Sequence, residues 1–247
     1  MARVSAAEAM EIWERSVDRP LAERAMLLAQ LAAPASTPVE LARAAIGRRD
    51  LSILALREET LGSRMACFVQ CLDCRAPLEF SVDARELVAL EASPGPDQAR
   101  RELVAGDVRI AYRLPTGADV AAVAARLDGE MARRELLERC VLGVMRVDGT
   151  AGTFDELRDP ELDALEAALE ACDPVANVSL ATTCAQCGRQ SEFGLEIVGF
   201  FSTELSAIAK RLLTEVDVLA RAYHWREADI LAMTAVRRRR YVEAALA

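Results

Sequence analysis

Hydrophobic positions in the first 60 residues recur at helical spacing and predict four short helices. Ser5 is a suitable N-cap for the first helix, and Pro20 opens the second. A Pro/Ser/Thr segment at 33–38 precedes the third, and Gly47-Arg48-Arg49-Asp50 leads into the fourth. The predicted spans are 5–17, 20–31, 39–46 and 51–61. We therefore expect an N-terminal helical region over residues 1–62.

From Arg64 the apolar positions alternate instead, as in half-buried strands. The alternation runs up to one Cys-x-x-Cys turn at Cys71 and Cys74 and resumes after it. It returns at Val178, around a second turn at Cys184 and Cys187. We expect two antiparallel hairpins with a Cys-x-x-Cys turn at the tip of each.

Between the hairpins, Val108, Ile110 and Tyr112 predict one further strand. A helix capped near Thr116 or Asp119 should follow it, and apolar periodicity predicts helices over 131–145 and 160–171. A loop is expected at 94–96, where the sequence is Pro-Gly-Pro. These segments and the hairpins form a predicted middle region, residues 63–200.

The last region, residues 201–247, is predicted to be helical. Its first helix carries an apolar stripe, and the pattern breaks near His224-Trp225 before a short turn of helix at 227–233. Thr234 can cap a final helix. The predicted fold is therefore α+β and mainly α, with helical subdomains around a small, zinc-ribbon-like antiparallel element.

Composition supports a helical fold, because Ala, Leu, Arg and Glu dominate and aromatic residues make up only 4%. The net charge of −9 disfavours nucleic acid as a partner unless a local basic patch overcomes it. No apolar run reaches the roughly 18 residues needed to cross a bilayer, and the N-terminus does not resemble a secretion signal. We expect a cytoplasmic protein whose partners are proteins, with neither a membrane nor a small-molecule substrate involved.

Seven cysteines in such a chain argue for metal binding or buried thiols rather than a disulfide framework. The two Cys-x-x-Cys turns are followed at the same offset by similar residues, Glu79-Phe80 and Glu192-Phe193. Four thiolates from two like turns complete a closed tetrahedral zinc site. We therefore predict one structural zinc per chain, bound by Cys71, Cys74, Cys184 and Cys187.

Other readings of the cysteines stay open. The four could form two metal-free thiol pairs or, less plausibly, a redox motif, although neither turn opens a helix in a βαβ unit. Cys67 could join the metal site but is better explained by core packing. Cys140 and Cys172 lie in helical patterns, where a free cysteine acts as a small hydrophobe.

Catalysis is not expected. His224 is the only histidine, so any histidine-based dyad would have to include it, and four cysteine ligands leave a metal no open position. The run Arg237-Arg238-Arg239-Arg240 is either a solvated helix turn or a contact for an acidic partner. Because Trp225 and Tyr241 are rare aromatics beside arginines, we predict a partner-binding element made of Trp225, Tyr241, Arg237 and Arg238.

The C-terminal block 211–233, continued by Arg237–Tyr241, resembles the T-even-type phage baseplate hub assembly family, whose members are also encoded among contractile injection system genes. The resemblance extends to Gly47–Asp50, the first Cys-x-x-Cys turn and Tyr112–Thr116. One departure is Ala185, where such members usually have proline after the first cysteine of the second turn. The cysteine ligands themselves remain.

The resemblance implies an assembly factor or minor structural subunit that binds baseplate or hub proteins of a contractile tail and works in a bacterial cytoplasm, with possible incorporation into the particle. The alternative is a zinc-ribbon adaptor for nucleic acid or transcription machinery. That alternative needs a basic surface around the metal, whereas acidic residues are expected there. They are Asp73, Glu79, Glu192 and Glu196.

Overall fold

The computed structural model of the protein describes residues 3–90, 99–126 and 128–247. Within these ranges the fold mixes α and β structure, with far more helix than strand, which confirms the mainly helical prediction. The expected loop at 94–96 lies outside the described residues. The helices are α1 Ala6–Ser16, α2 Leu21–Ala32, α3 Pro38–Arg43, α4 Ile46–Leu61, α5 Ala84–Val88, α6 Gly117–Val123, α7 Gly129–Cys140, α8 Asp159–Cys172, α9 Ile197–Tyr223, α10 Glu227–Leu231 and α11 Ala235–Leu246.

The strands form three small sheets, and every strand pairing is antiparallel. Strands β1 and β2 make the first hairpin, β3 to β6 make a four-stranded sheet in sequence order, and β7 and β8 make the second hairpin. Both predicted Cys-x-x-Cys hairpins are thereby confirmed. The strands are β1 Arg64–Gln70, β2 Pro77–Asp83, β3 Arg101–Ala105, β4 Val108–Tyr112, β5 Val141–Arg146, β6 Ala151–Gly152, β7 Val178–Thr183 and β8 Gln190–Leu195.

Capping chemistry explains where several helices begin. Ser5 and Thr37 form capping boxes at α1 and α3. In each box the hydroxyl accepts a hydrogen bond from the backbone N–H of the glutamate three residues later, and the carboxylate of that glutamate accepts one from the backbone N–H of the cap residue. Thr116 does the same for α6 with Asp119. Thr234 accepts from the N–H of Arg237 and caps α11 as predicted.

Two apolar cores hold the elements together. The larger core joins α1, α2, α4 and α9 with residues from the inner faces of both hairpins, so the predicted N-terminal and C-terminal helical regions share one interior. Phe201 and Leu205 of α9 lie at its centre and are almost wholly buried. The smaller core lies between the four-stranded sheet and helices α7 and α8.

The structure corrects three details of the sequence prediction. Helix α4 begins at Ile46 rather than Leu51, so Gly47–Asp50 form its first turn. The helix expected over 131–145 ends at Cys140, and Val141–Arg146 form strand β5. Strand β3 was not predicted. The two errors about strands share a cause, because β3 and β5 are fixed by pairing with β4, and the local periodicity of the sequence does not reveal that pairing.

None of the described helices combines the length and the apolar character required to cross a membrane.

Candidate metal centre

The four cysteines of the two turns converge at the tips of the two hairpins. Their sulfur atoms all lie within 4.8 Å of one another. Cys71 Sγ is 3.7 Å from Cys187 Sγ, and Cys74 Sγ is 3.6 Å from Cys184 Sγ. Each turn's first cysteine thus lies beside the second cysteine of the other turn. The arrangement brings together all four residues that the sequence predicted, and they could hold one metal ion.

The two turns have the same backbone geometry. In the first, the N–H of Cys71 donates to Ala76 O at 2.8 Å and the N–H of Arg75 donates to Cys71 O at 3.0 Å. The second turn repeats both bonds, from Cys184 to Arg189 O and from Gly188 to Cys184 O, each at 2.8 Å. Such tight bends present both sulfurs on one side of the turn.

Each turn requires a left-handed residue directly after its second cysteine. That residue has φ 61° at Arg75 and φ 73° at Gly188. Glycine adopts this conformation freely, whereas an L side chain pays a steric cost. The second turn therefore uses glycine, which adopts this conformation freely, whereas the first turn uses an arginine, which disfavours it.

Burial is distributed symmetrically over the cluster. Cys71 and Cys184 are buried, and Cys74 and Cys187 are exposed. A small apolar group that includes Leu78 packs around the buried pair. The guanidinium of Arg189 lies 3.5 Å from the carboxylate of Asp73 and links the two turns at the surface. One side of the cluster is sealed, and the other faces solvent.

Backbone N–H groups favour the thiolate form at one sulfur. Hydrogen bonds from the N–H of Cys187 and then of Gln186 lower the pKa of Cys184 to about 7, with smaller contributions from neighbouring thiols. At Cys187 a hydrogen bond from the N–H of Arg189 also lowers the pKa of the thiol. Desolvation and the neighbouring thiols outweigh this hydrogen bond and raise the pKa of Cys187 to about 12. Four thiolates this close repel one another unless a cation lies between them.

The remaining cysteines lie outside the cluster, as expected. Cys67 is buried on the inner face of β1, where its sulfur is 3.9 Å from Met65 O. Cys140 is fully buried, and desolvation raises its pKa to about 12. Cys172 Sγ lies 3.7 Å from the hydroxyl of Tyr112. All three therefore behave as packed thiols.

Of the four acidic residues expected around the metal, Asp73, Glu79 and Glu192 lie on the hairpins that carry the cysteines. Glu79 and Glu192 occupy matching positions on the outer faces of the hairpins, paired with Phe68 and Ala181. Glu196 does not belong to this group. It lies at the far end of the second hairpin and caps α9, accepting from the N–H groups of Val198 and Gly199.

The predicted partner-binding aromatics form one cluster at the junction of α9, α10 and α11. Trp225 stacks on Tyr223 with ring centroids 4.6 Å apart, and it meets Tyr241 edge-on at 4.9 Å. The guanidinium of Arg237 lies 5.7 Å from the centre of the Tyr241 ring. His224 ends α9 in the left-handed conformation, with φ 55°. Trp225 and Tyr241 are half-buried and keep part of their surface exposed.

Arg238 is placed differently from the expectation of a partner contact. Only 3% of it is exposed, its Nε donates to the carboxylate of Glu215 on α9, and its Nη1 donates to Met233 O at 3.0 Å. Arg238 therefore holds α11 against α9. Arg237, Arg239 and Arg240 remain exposed on the helix surface.

Sequence reasoning missed two buried polar residues that organise the fold. Arg57, which is 2% exposed, donates to both carboxylate oxygens of Glu204 and to Gly62 O and Arg64 O, so it fixes the start of β1 against α9. Asp173, also 2% exposed, accepts from the N–H of Gly47. An Asp-Pro pair signals only a turn, and nothing local in the sequence indicates its distant partner.

Comparison of the chain with protein-family models, with curated proteins and with solved structures gives no match in any of the three.

Proposed function

We propose that this protein is a non-enzymatic assembly factor or minor structural component of the baseplate of a contractile phage tail or injection system, stabilised by one structural zinc ion. In this proposal the four clustered cysteines form a zinc-ribbon-like centre. The exposed face of the C-terminal helices binds a baseplate or hub protein in the bacterial cytoplasm. The protein either leaves after assembly or stays in the particle.

The sulfur spacing supports zinc. Zinc–sulfur bonds of about 2.3 Å in a tetrahedron place the sulfurs about 3.8 Å apart, close to the 3.7 Å and 3.6 Å of the two short pairs. Thiolates are ligands that select zinc over hard cations such as magnesium and calcium. With four protein ligands no coordination position is left for a substrate, so the proposed role of the ion is to hold the hairpins together.

The observation that carries the functional proposal is that the most specific part of the family resemblance folds as one contiguous helical unit with an exposed face. The block 211–233 and Arg237–Tyr241 make the outer half of α9, α10 and the start of α11. On α11, Val236 is 73% exposed beside the exposed Arg237. A large apolar side chain among arginines, next to half-exposed aromatics, has the composition of a protein-binding surface.

The adaptor alternative has less support. Glu79 and Glu192 stand on the outer faces of the metal-binding hairpins, where carboxylates repel a phosphate backbone.

Co-expression tests the proposal. The tagged chain is purified together with the products of its neighbouring genes, and we expect a baseplate or hub protein to elute with it. The double variant Val236→Asp/Arg237→Glu should lose this protein while keeping its melting temperature and metal content, because the side chain of Val236 is exposed and Arg237 lies on the helix surface. Val147→Asp, a change at a valine that is 71% exposed outside α9–α11, is the matched control and should retain the partner.

A well-folded Val236→Asp/Arg237→Glu protein that still binds its partner would refute docking on α11. Elution without any tail protein would refute the baseplate assignment. Trp225→Ala with Tyr241→Ala is a less selective test of docking than the surface pair, because those rings also pack against each other and against Tyr223.

A further inference from the structure

A polar cavity of about 300 Å³ lies between the end of α1, the start of α2 and one side of α9. It shares no lining residue with the metal centre or with the aromatic cluster. Arg24 and two serines of α9, Ser202 and Ser206, are half-buried in its wall. Trp13 and Val17 add apolar surface to the lining, and Arg24 and the two serines supply hydrogen-bond donors.

Arg24 has no hydrogen-bond acceptor among the residues that the structure describes. Its Nε is buried without a hydrogen-bond partner, and no ion pair involves it in the part of the chain that the structure describes. A buried guanidinium donor left unpaired is costly. By contrast, the two strongly buried arginines among the described residues, Arg57 and Arg238, each pair with a glutamate. Arg24 differs from both in having no carboxylate partner among the described residues, so its guanidinium is available to a ligand.

The two serines supply further unused donors. Ser202 and Ser206 are one helical turn apart on the same face of α9, and neither hydroxyl makes a hydrogen bond to another described residue. Two threonines of the same helix behave in the ordinary way and donate to the carbonyl four residues before them, Thr203 to Gly199 O at 2.8 Å and Thr214 to Lys210 O at 3.2 Å. The serine hydroxyls are therefore available to a ligand.

Charges at the mouth of the cavity are of both signs. Arg19 is exposed and already pairs with Glu23 at 2.7 Å, and Asp18 is exposed in the loop after α1. Solvent screens both. Of the three charged residues that line the cavity only Arg24 is half-buried, so its charge is the one that solvent screens least.

We infer that this cavity binds a small oxyanion, a phosphate or carboxylate group, through the guanidinium of Arg24 and the hydroxyls of Ser202 and Ser206. The planar guanidinium fork matches two oxygens of such a group, and each hydroxyl can donate to another. The volume accommodates a phosphate group with part of the molecule that carries it. This inference does not depend on the proposed baseplate role.

Calorimetric titration of the metal-replete protein with inorganic phosphate and, separately, with acetate at constant ionic strength tests the inference. We expect saturable binding of at least one anion, and the preferred anion identifies the ligand as phosphate-like or carboxylate-like. Arg24→Gln should weaken that binding at least about tenfold, the loss expected for one charged hydrogen bond. Arg15→Gln removes an exposed arginine that pairs with Glu11 on α1, and it should leave the binding unchanged.

Ser202→Ala combined with Ser206→Ala is the second variant. It keeps the charge of Arg24 and should weaken binding by a smaller factor, which decides the matter even if Arg24→Gln fails to fold. Absence of saturable binding by either anion would overturn the inference. Equal affinity in the wild-type protein and in whichever of these two variants folds would overturn it as well.

Discussion

The carboxylate of Asp173 accepts a hydrogen bond from the backbone N–H of Gly47 at 2.9 Å, across 126 residues of sequence. Gly47 is the second residue of α4, where backbone N–H groups have no partner within the helix. The negative charge of a carboxylate is also favourable at the positive end of the helix dipole. The turn after α8 therefore caps α4 and ties the smaller core to the larger one.

Gly47→Ala should destabilise the protein, although alanine is the better helix former. A Cβ at this position would lie 1.8 Å from Asp173 Oδ1, and that side chain is buried and could shift only by disturbing its hydrogen bond to the N–H of Gly47. We expect the free energy of unfolding to fall by about 1–3 kcal/mol, the usual cost of overpacking. Urea unfolding followed by circular dichroism measures it.

Gly129→Ala is the control for this substitution. Gly129 begins α7, and a Cβ there would meet nothing within 4 Å. Helix propensity should then act alone, with a gain of up to about 1 kcal/mol. If Gly47→Ala also stabilised the protein, the close approach of Asp173 would be wrong.

The same contact shows what the sequence could and could not predict. Ser5 and Thr234 were recognisable as caps because their partners lie three residues away. Gly47 was read as part of a break before the helix, because glycine is unfavourable within one and its cap, Asp173, is remote. Strand β5 was missed for a similar reason. Val141–Arg146 continue the apolar pattern of the preceding helix, and only their pairing with β4 shows that they form a strand.

The cluster of four cysteines was more predictable than the four-stranded sheet. The spacing within each Cys-x-x-Cys turn is local, and the matching Glu-Phe pairs identified two like hairpins. The sequence alone did not require the hairpins to meet, because a shared core of α1, α2, α4 and α9 brings them together. The sequence also could not show that Arg238 faces Glu215, because nothing in the run of four consecutive arginines distinguishes the buried one from the exposed ones.

The paired turns predict different responses to substitution at one structural position. Gly188→Ala places a Cβ in the left-handed conformation, so we expect a loss of about 1–2 kcal/mol. Arg75→Gly relieves that strain at the equivalent position but increases the entropy of the unfolded chain, so the net change should stay within about 1 kcal/mol. Thermal unfolding of metal-replete protein measures both. Equal and large losses in the two variants would contradict the equivalence of the turns.

Loss of a cluster cysteine should be far more damaging than loss of another buried thiol. Binding of structural zinc by small peptides contributes on the order of 10–16 kcal/mol and is coupled to folding, so Cys71→Ser and Cys184→Ser should unfold or aggregate the protein. Cys140→Ser and Cys172→Ser lose packing and desolvate a hydroxyl, which costs about 1–3 kcal/mol. Melting temperatures distinguish the groups, and similar losses in all four would exclude a metal role for Cys71 and Cys184.

Neighbouring arginines of α11 should differ in how much they contribute to stability. Arg238→Met breaks a pair with Glu215 in which the arginine side chain is 4% exposed, so it should cost on the order of 3 kcal/mol. Arg239→Met changes an exposed side chain and should cost less than about 0.5 kcal/mol. Chemical unfolding of the two variants is the measurement. A negligible effect of Arg238→Met would mean that this arginine does not hold α11 to α9.

Elemental analysis of the protein purified under reducing conditions tests the zinc centre most directly. Four sulfurs within 4.8 Å of one another can enclose one ion, so the account predicts one zinc per chain. Cys67→Ser should leave that value unchanged, because its sulfur faces the interior of the first hairpin outside the cluster. A value near zero with all thiols reduced, or near two, would contradict the account.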